Sequence, residues 1–130
     1  AYKEAFADVQ RRAHEERAKA LVKQGEGALE MRDFKEAAGH FEEALQYRPF
    51  DPELNIRAAR LQWQAAGDLK KAKEFAAAAC EIEPTNAGHR RTLGQIFKAA
   101  GLKANARREL EAALKLDPND AEANAELKSL

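Results

Sequence analysis

Three marker residues recur along this chain at intervals of 35 and then 34 positions. The recurring sets are Ala37, Ala72 and Ala106; Ala44, Ala79 and Ala113; and Pro49, Pro84 and Pro118. A fixed period of this length is typical of solenoids, in which one helix pair cannot bury its apolar face alone and stacked pairs share a continuous core. The period therefore predicts three stacked units of similar structure.

Each unit is predicted to contain two helices. In the second half of the first unit, apolar residues recur at helical spacing, at Phe34, Ala37, Ala38, Phe41, Ala44 and Leu45. Gly67 and Gly101 mark the turns before the corresponding helices of the other units, and Asp51 before Pro52 is a typical helix start. We place the extra residue of the first interval in the loop Arg48–Pro52, because a loop tolerates an insertion without a change of register.

With these markers the sequence resembles the tetratricopeptide repeat (TPR) family over about four-fifths of its length. It shares a small residue at the eighth position of the unit, Gly-Asp at the central turn, Ala at the twentieth and twenty-seventh positions, and Pro at the thirty-second. In this register the units are residues 18–51, 53–86 and 87–120. The resemblance implies an all-α fold, a right-handed α-solenoid of three helix-turn-helix units.

The second unit departs from the family pattern at two positions. Arg60 replaces the small eighth residue, which is Gly25 in the first unit, and Ala76 replaces the large twenty-fourth residue. We therefore expect a local rearrangement of packing. Trp63 is predicted to fill the space beside Ala76 as a packing residue, not as a stacking platform for a ligand.

Both ends of the repeat array carry an additional helical segment. Residues 1–17 form an N-terminal helical extension with an apolar stripe of Tyr2, Phe6, Val9 and Ala13. No Gly or Pro interrupts the chain before Gly25, so we expect either one long helix or a helix folded back on the array. Residues 121–130 are predicted to form a capping helix whose stripe of Ala123, Leu127 and Leu130 covers the third unit.

The resemblance implies a ligand site in a concave groove formed by the first helices of the units. In the family the groove residues are the second, fifth, ninth and twelfth of each unit. Here these are Lys19, Val22, Glu26 and Leu29; Leu54, Arg57, Leu61 and Gln64; and Gly88, Arg91, Gln95 and Lys98. We expect this mixture of apolar and charged side chains to bind an amphipathic or acidic peptide segment or helix of another protein.

Arg57 and Arg91 have equivalent positions in this register. One interpretation is that their guanidinium groups stand side by side and grip a carboxylate of the ligand. The alternative is that both are surface arginines paired with nearby glutamates. Some TPR proteins hold acidic C-termini of heat-shock chaperones with a clamp of Lys, Asn and Arg side chains. The corresponding residues here are Val22, Glu26, Ala58, Gly88 and Thr92, so we expect weak or no binding to such tails.

Other functions find no support in the composition. Lys+Arg and Asp+Glu both number 22, so no net charge attracts nucleic acid or an anionic membrane, and no apolar segment approaches the roughly 20 residues of a membrane span. No motif brings a nucleophile and a base together, so we expect neither an enzyme nor a cofactor. Cys80 is expected to pack as a small apolar group. The spacing of His14, His40 and His89 does not suit a metal site, and we expect them at the surface or its boundary.

The sequence thus predicts a protein-protein interaction module that acts as a scaffold or adaptor. Two alternatives stay open. One is self-association through the N-terminal stripe or the capping helix. The other is a regulatory or co-chaperone part of a larger protein, which the start without Met and the long N-terminal helix favour. A single cysteine is compatible with a reducing, cytoplasmic location.

Overall fold

The computed structural model of the chain describes all 130 residues, and its regular elements are all helices. Their bounds are α1 Tyr2–Glu30, α2 Phe34–Tyr47, α3 Pro52–Leu61, a π-helix Gln62–Ala66 that continues α3, α4 Leu69–Ile82, α5 Ala87–Ala99, α6 Lys103–Leu116 and α7 Ala121–Lys128. The predicted all-α solenoid of helix pairs with a helical segment at each end is confirmed. No helix is both long and apolar enough to span a membrane.

Side-chain caps set the start of most helices. The side chains that accept a backbone N–H three residues ahead belong to Asp33, Asp51, Asp68, Asn86 and Asp120. Each supplies an acceptor for one of the N–H groups that have no partner inside the helix. The turn within each unit contains one residue in the left-handed region, which is Arg32, Gly67 or Gly101. Gly at the latter two positions makes that conformation inexpensive.

The buried side chains form three clusters along the array. The first joins α1 and α2 to α3 through Leu21, Phe41 and Leu54, and the second joins α3 and α4 to α5 through a row of alanines of α4. The third lies between α6 and α7. Trp63 packs against the second cluster, which contains Ala76, so the predicted packing role of this indole is confirmed.

The extra residue of the first interval lies inside a helix, and its predicted place in the loop before Pro52 is wrong. In every unit the next N-cap follows the end of the second helix by four residues: Asp51 after Tyr47, Asn86 after Ile82, and Asp120 after Leu116. The π-helix Gln62–Ala66 accommodates the insertion instead, because its wider i→i+5 turn holds one additional residue.

Hydrogen bonds explain why the loop keeps its length. The Asn55 side-chain amide donates to the carbonyl oxygens of Pro49 at 3.0 Å and Asp51 at 2.9 Å. Arg90 donates to the Pro84 carbonyl oxygen at 3.3 Å in the next loop. A longer loop would break these bonds, whereas a π-turn keeps the helical backbone paired.

This insertion moves the register of α3 by one residue from the predicted one. Ala59, and not Arg60, is the eighth residue after the N-cap, and it is fully buried while Arg60 is exposed. The small residues at this position allow close helix contact, as predicted for Gly25. A Cβ atom on Gly25 would lie 3.0 Å from the Phe41 ring, and one on Gly94 would lie 2.7 Å from Cγ of Leu110.

The N-terminal segment is part of one uninterrupted helix. α1 runs from Tyr2 to Glu30 without a break at residue 17, so the structure selects the long helix over the folded-back one. Towards its N-terminus, α1 extends beyond the end of α2, where the ring of His14 lies 5.4 Å from that of Tyr47. The boundary between extension and first unit stays a prediction, as do the other unit limits.

Candidate functional site

The groove residues predicted in α1 are accessible. Lys19 and Glu26 are exposed, whereas Val22 and Leu29 are half-buried. The two apolar side chains pack against the edge of the first cluster together with Leu61 of α3. This part of the predicted groove therefore combines an apolar strip with exposed charges.

The groove residues predicted in α3 are divided between core and surface. Leu54 is only 3% exposed and belongs to the first cluster, so it offers little surface to a ligand. Arg57 is half-buried, with Nη1 at 3.7 Å from Glu26 Oε1 and its guanidinium carbon 4.6 Å from the centre of the Phe41 ring. Gln64 is exposed in the π-helix.

Arg57 and Arg91 do not occupy equivalent positions. Arg57 is the sixth residue after the N-cap Asp51, whereas Arg91 is the fifth residue after the N-cap Asn86. The predicted equivalence is wrong because the insertion lies after Arg57 in α3 and not before it. The residue of α3 that corresponds to Arg91 is Ile56, which is buried in the second cluster.

The groove residues predicted in α5 are bound to α7. Arg91 Nη1 donates to Asp120 Oδ2 at 2.7 Å, Gln95 Nε2 donates to Glu122 Oε1 at 2.8 Å, and Lys98 Nζ donates to Glu126 Oε2 at 2.9 Å. Lys98 also contacts the Ser129 hydroxyl, and Gly88 is half-buried near Asn86. These carboxylates thus accept the hydrogen bonds that Arg91, Gln95 and Lys98 were expected to donate to a ligand.

The Arg91 pair is the most enclosed ion pair on this face. Asp120 is 7% exposed, and its burial raises the pKa of the carboxyl group, but the Ala123 backbone N–H and the Arg91 guanidinium outweigh burial and lower that pKa. Arg91 Nε lies 3.4 Å from Glu122 Oε2 with a geometry that makes no hydrogen bond. Both arginines therefore have carboxylate partners within the chain, which agrees with the second of the two interpretations.

Cavities occur away from the predicted groove residues. The largest, about 450 Å³, lies between α2 and α4 and is lined by Leu45, Asn55, Lys71 and Phe75 among others. Three smaller or similar cavities lie beside α1, between α4 and α6, and near the π-helix. The predicted groove residues line none of these cavities, which suits a peptide or helix better than a small molecule.

The predicted burial or exposure is confirmed for Cys80, His14 and His40 and is wrong for His89. Cys80 is 4% exposed, and burial raises the pKa of its thiol to about 11, so it stays protonated at neutral pH and packs as predicted. His14 is exposed and His40 half-buried, as expected. His89 is buried, with Nε2 at 2.8 Å from Glu83 Oε1, so its predicted place at the surface or boundary is wrong. No group of three or more His, Cys, Asp and Glu side chains is placed to hold a metal ion.

Two family models, both described as tetratricopeptide repeat, match residues 28–79 and 92–120. Together with the helix-pair architecture, these matches place the chain in the tetratricopeptide repeat family. No curated protein sequence matches it.

Several solved structures share the fold at low sequence identity. The first TPR of Spaghetti (RPAP3) bound to the HSP90 peptide SRMEEVD has a TM-score of 0.78 and 20% identity, over 88% of this chain and 90% of that one. The Arabidopsis OM64 TPR domain has a TM-score of 0.78 and 16% identity, over 89% and 95%. The second TPR domain of human RPAP3 in complex with the HSP70 peptide SGPTIEEVD has a TM-score of 0.79 and 16% identity, over 89% and 96%.

Proposed function

We propose that this chain is a protein-interaction module, a scaffold or adaptor, that binds a peptide or helix of a partner protein on the concave face of its first two units. The observation that carries the proposal is the half-buried apolar strip of Val22, Leu29 and Leu61 beside the Glu26–Arg57 ion pair. Such a strip with charges at its edge fits the apolar side of an amphipathic segment. The third unit contributes less, because its donor side chains are bound to carboxylates at and within α7.

The charge of this surface favours an acidic partner segment. Arg60 is exposed and is the ninth residue after the N-cap Asp51, which is a groove position in the corrected register of α3. Lys19 is exposed with Glu16 at 3.6 Å, and Arg57 is paired with Glu26. A cationic edge of this kind increases the association rate of an acidic segment and orients it on the apolar strip. The co-chaperone or regulatory role in a larger protein is a variant of the same proposal, in which the bound segment belongs to an attached domain or to a part of a chaperone other than its acidic C-terminal tail.

The test compares capture of partners from a lysate by three forms of the chain. The double variant Lys19→Glu with Arg60→Glu reverses two exposed charges of the proposed site, and the control Lys103→Glu with Arg107→Glu reverses two exposed charges of α6. We expect a partner that the wild type and the control retain and the first variant loses, with equal helicity by circular dichroism. Equal capture by all three forms contradicts the proposal.

Binding to chaperone tails is predicted to be weak or absent. Val22 carries no polar group, Glu26 is anionic, and Thr92 is buried with its hydroxyl donated to the Gly88 carbonyl oxygen at 3.0 Å. None of these three is able to hold a terminal carboxylate as an Asn, Lys or Arg side chain does. In the corrected register of α3 the position of the second unit falls on Arg57 and not on Ala58, and Arg57 is paired with Glu26 at 3.7 Å. Micromolar binding of a peptide ending in Glu-Glu-Val-Asp, measured by calorimetry, would contradict this prediction.

Self-association is a second candidate, and the exposed stripe of α1 favours it. Tyr2, Phe6 and Val9 are 86%, 58% and 62% exposed, which is unusual for three successive residues of one helix face. Light scattering over a range of concentrations, with the complete chain and with a chain lacking residues 1–17, measures the mass directly. A monomer at every concentration in both forms excludes this candidate.

A further inference from the structure

The N-terminal part of α1 is a helix without an internal partner. Residues 2–13 are almost all exposed, and the first ring contact with α2 is made by His14. Residues 2–13 continue the uninterrupted helix α1, so their helicity does not require a partner, but their apolar side chains stay in contact with water unless another element covers them. The stripe of Tyr2, Phe6, Val9 and Ala13 is the surface that a partner would cover.

The spacing of the stripe matches the seam of a two-helix coiled coil. Its members follow one another at intervals of four, three and four residues. In an antiparallel pair with a second copy, one register places Tyr2 opposite Ala13 and Phe6 opposite Val9 of the second copy. Each large side chain then meets a smaller one, which is the arrangement that fills space without overpacking.

The residue that follows the stripe disfavours a longer overlap. Glu16 continues the same spacing after Ala13. A register shifted by one heptad would place this carboxylate against Phe6 of the second copy, and burying an unpaired charge is unfavourable. The register that pairs only apolar residues is therefore selected over its neighbour.

The charges beside the stripe are compatible with the same arrangement. Lys3 and Arg12 flank the seam. Lys3 meets Gln10 of the second copy and Arg12 meets Ala5, so neither cation faces another cation. Asp8 and Arg11 form an ion pair away from the seam. Tyr47 and Arg48 at the end of α2 line a cavity with Ala7 and Arg11, which lie on a different face of α1 from the stripe, so the end of α2 leaves the stripe uncovered.

We infer that residues 2–13 of α1 form an antiparallel homodimer with the same residues of a second copy. The inference deepens the second of the two functions proposed above and is independent of the concave face. Two Tyr and two Phe side chains bury about 150–250 Å² each, or roughly 600–1,000 Å² in total. Specific stable interfaces bury about 1,200 Å² or more, so the dimer is weak and depends on concentration.

The first experiment measures mass by light scattering from about 1 μM to about 1 mM chain, a range that covers weak dissociation constants. We expect a transition from monomer to dimer in the wild type. Phe6→Glu raises the dissociation constant at least about 30-fold, because it places charges at the centre of the seam. The matched control Phe50→Glu makes the same change at an 82% exposed loop residue and leaves the dissociation constant unchanged.

The second experiment tests the antiparallel register by disulfide formation. Tyr2→Cys mixed with Ala13→Cys forms a mixed dimer on oxidation, whereas Tyr2→Cys alone does not, because two copies of residue 2 lie about 16 Å apart along the pair. Cys80 is buried and does not compete. A monomer at about 1 mM overturns the inference and self-association through this stripe together. A dimer that crosslinks through two copies of residue 2 overturns the antiparallel register and leaves self-association standing.

Discussion

The two ends of this solenoid differ in how the apolar surface of the end unit is covered. At the C-terminal end, α7 covers the third unit with Ala123 in the core and with carboxylates on Arg91 and Lys98. At the N-terminal end, half of α1 extends past α2 and exposes Tyr2 and Phe6. An end unit of a repeat array lacks one neighbour, and a polar outer face is the usual remedy. This chain has that remedy at one end only, which makes its N-terminal end the candidate for association.

The largest expected difference between the two ends is in the free energy of unfolding that is lost when an apolar side chain is shortened. Leu110→Ala removes a fully buried side chain beside α7, and we expect the free energy of unfolding to fall by about 2–5 kcal/mol. Val9→Ala shortens an exposed side chain of α1 and is expected to change it by less than about 0.5 kcal/mol. Urea unfolding in dilute solution measures both. Similar losses would mean that the N-terminal part of α1 is packed as firmly as the C-terminal end.

The ion pairs at the two ends are expected to differ next. Arg91→Leu leaves the buried Asp120 without its guanidinium partner and is expected to lower the free energy of unfolding by about 1–3 kcal/mol. Arg11→Leu removes the partner of Asp8, but both side chains are exposed, so the expected change is below about 0.5 kcal/mol. Urea unfolding of both variants at low salt provides the comparison. Equal effects would show that α7 is not held by the Arg91 pair.

A smaller effect on the free energy of unfolding is expected when the pH is lowered. The pKa of Asp120 is lowered in the folded chain, so its stabilising contribution is complete above the ordinary value of 3.8 and is lost as the pH falls through the lowered pKa. Asp120→Asn keeps a capping side chain but removes this contribution. We therefore expect a shallower acid limb for the variant when the free energy of unfolding is measured from neutral pH to about pH 2. An unchanged limb would contradict the role of this carboxyl group.

The smallest expected effect distinguishes two glycines of α1. A Cβ atom on Gly27 meets no atom within 4 Å, so Gly27→Ala should stabilise the chain by about 0.5–1 kcal/mol through helix propensity. The same change at Gly25 brings a Cβ atom to 3.0 Å from the Phe41 ring and should give no gain. Thermal and urea unfolding measure both. A gain at Gly25 would mean that the junction of α1 and α2 is loosely packed.

Much of the fold was predictable because its markers act locally. Ala37 and Ala44 are buried as their recurrence indicated, and Asp51 caps a helix as the Asp-Pro pair indicated. Burial of a stripe and capping of a helix depend on residues a few positions apart, which a sequence displays directly. The position of the inserted residue was not predictable from the period alone, since a loop and a π-turn lengthen the interval by the same amount. Arg60 at a position that requires a small residue was the signal of the shifted register.

The candidate site was predictable in its chemistry but not in its partners. Arg91, Gln95 and Lys98 follow one another along one face of α5 as groove positions, and the sequence predicted a carboxylate partner for Arg91. The sequence did not indicate that the carboxylates are Asp120, Glu122 and Glu126 of the same chain. The intervals between these carboxylates are two and four residues, against four and three for the α5 residues, so the spacing gave no signal of the pairing. His89 was misplaced because its burial depends on Glu83, which precedes its helix.

The sequence by itself determined the number of units, the helices and the residues that stack them, because these follow from short-range periodicity and caps. The tertiary structure decided the register of α3, the pairing of Arg57 with Glu26 and of Arg91 with α7, and the exposure of the α1 stripe. Long charged side chains have several partners within reach once helices pack, and only the packed geometry selects among them. Whether an apolar stripe is buried or exposed likewise depends on whether another part of the molecule packs against it.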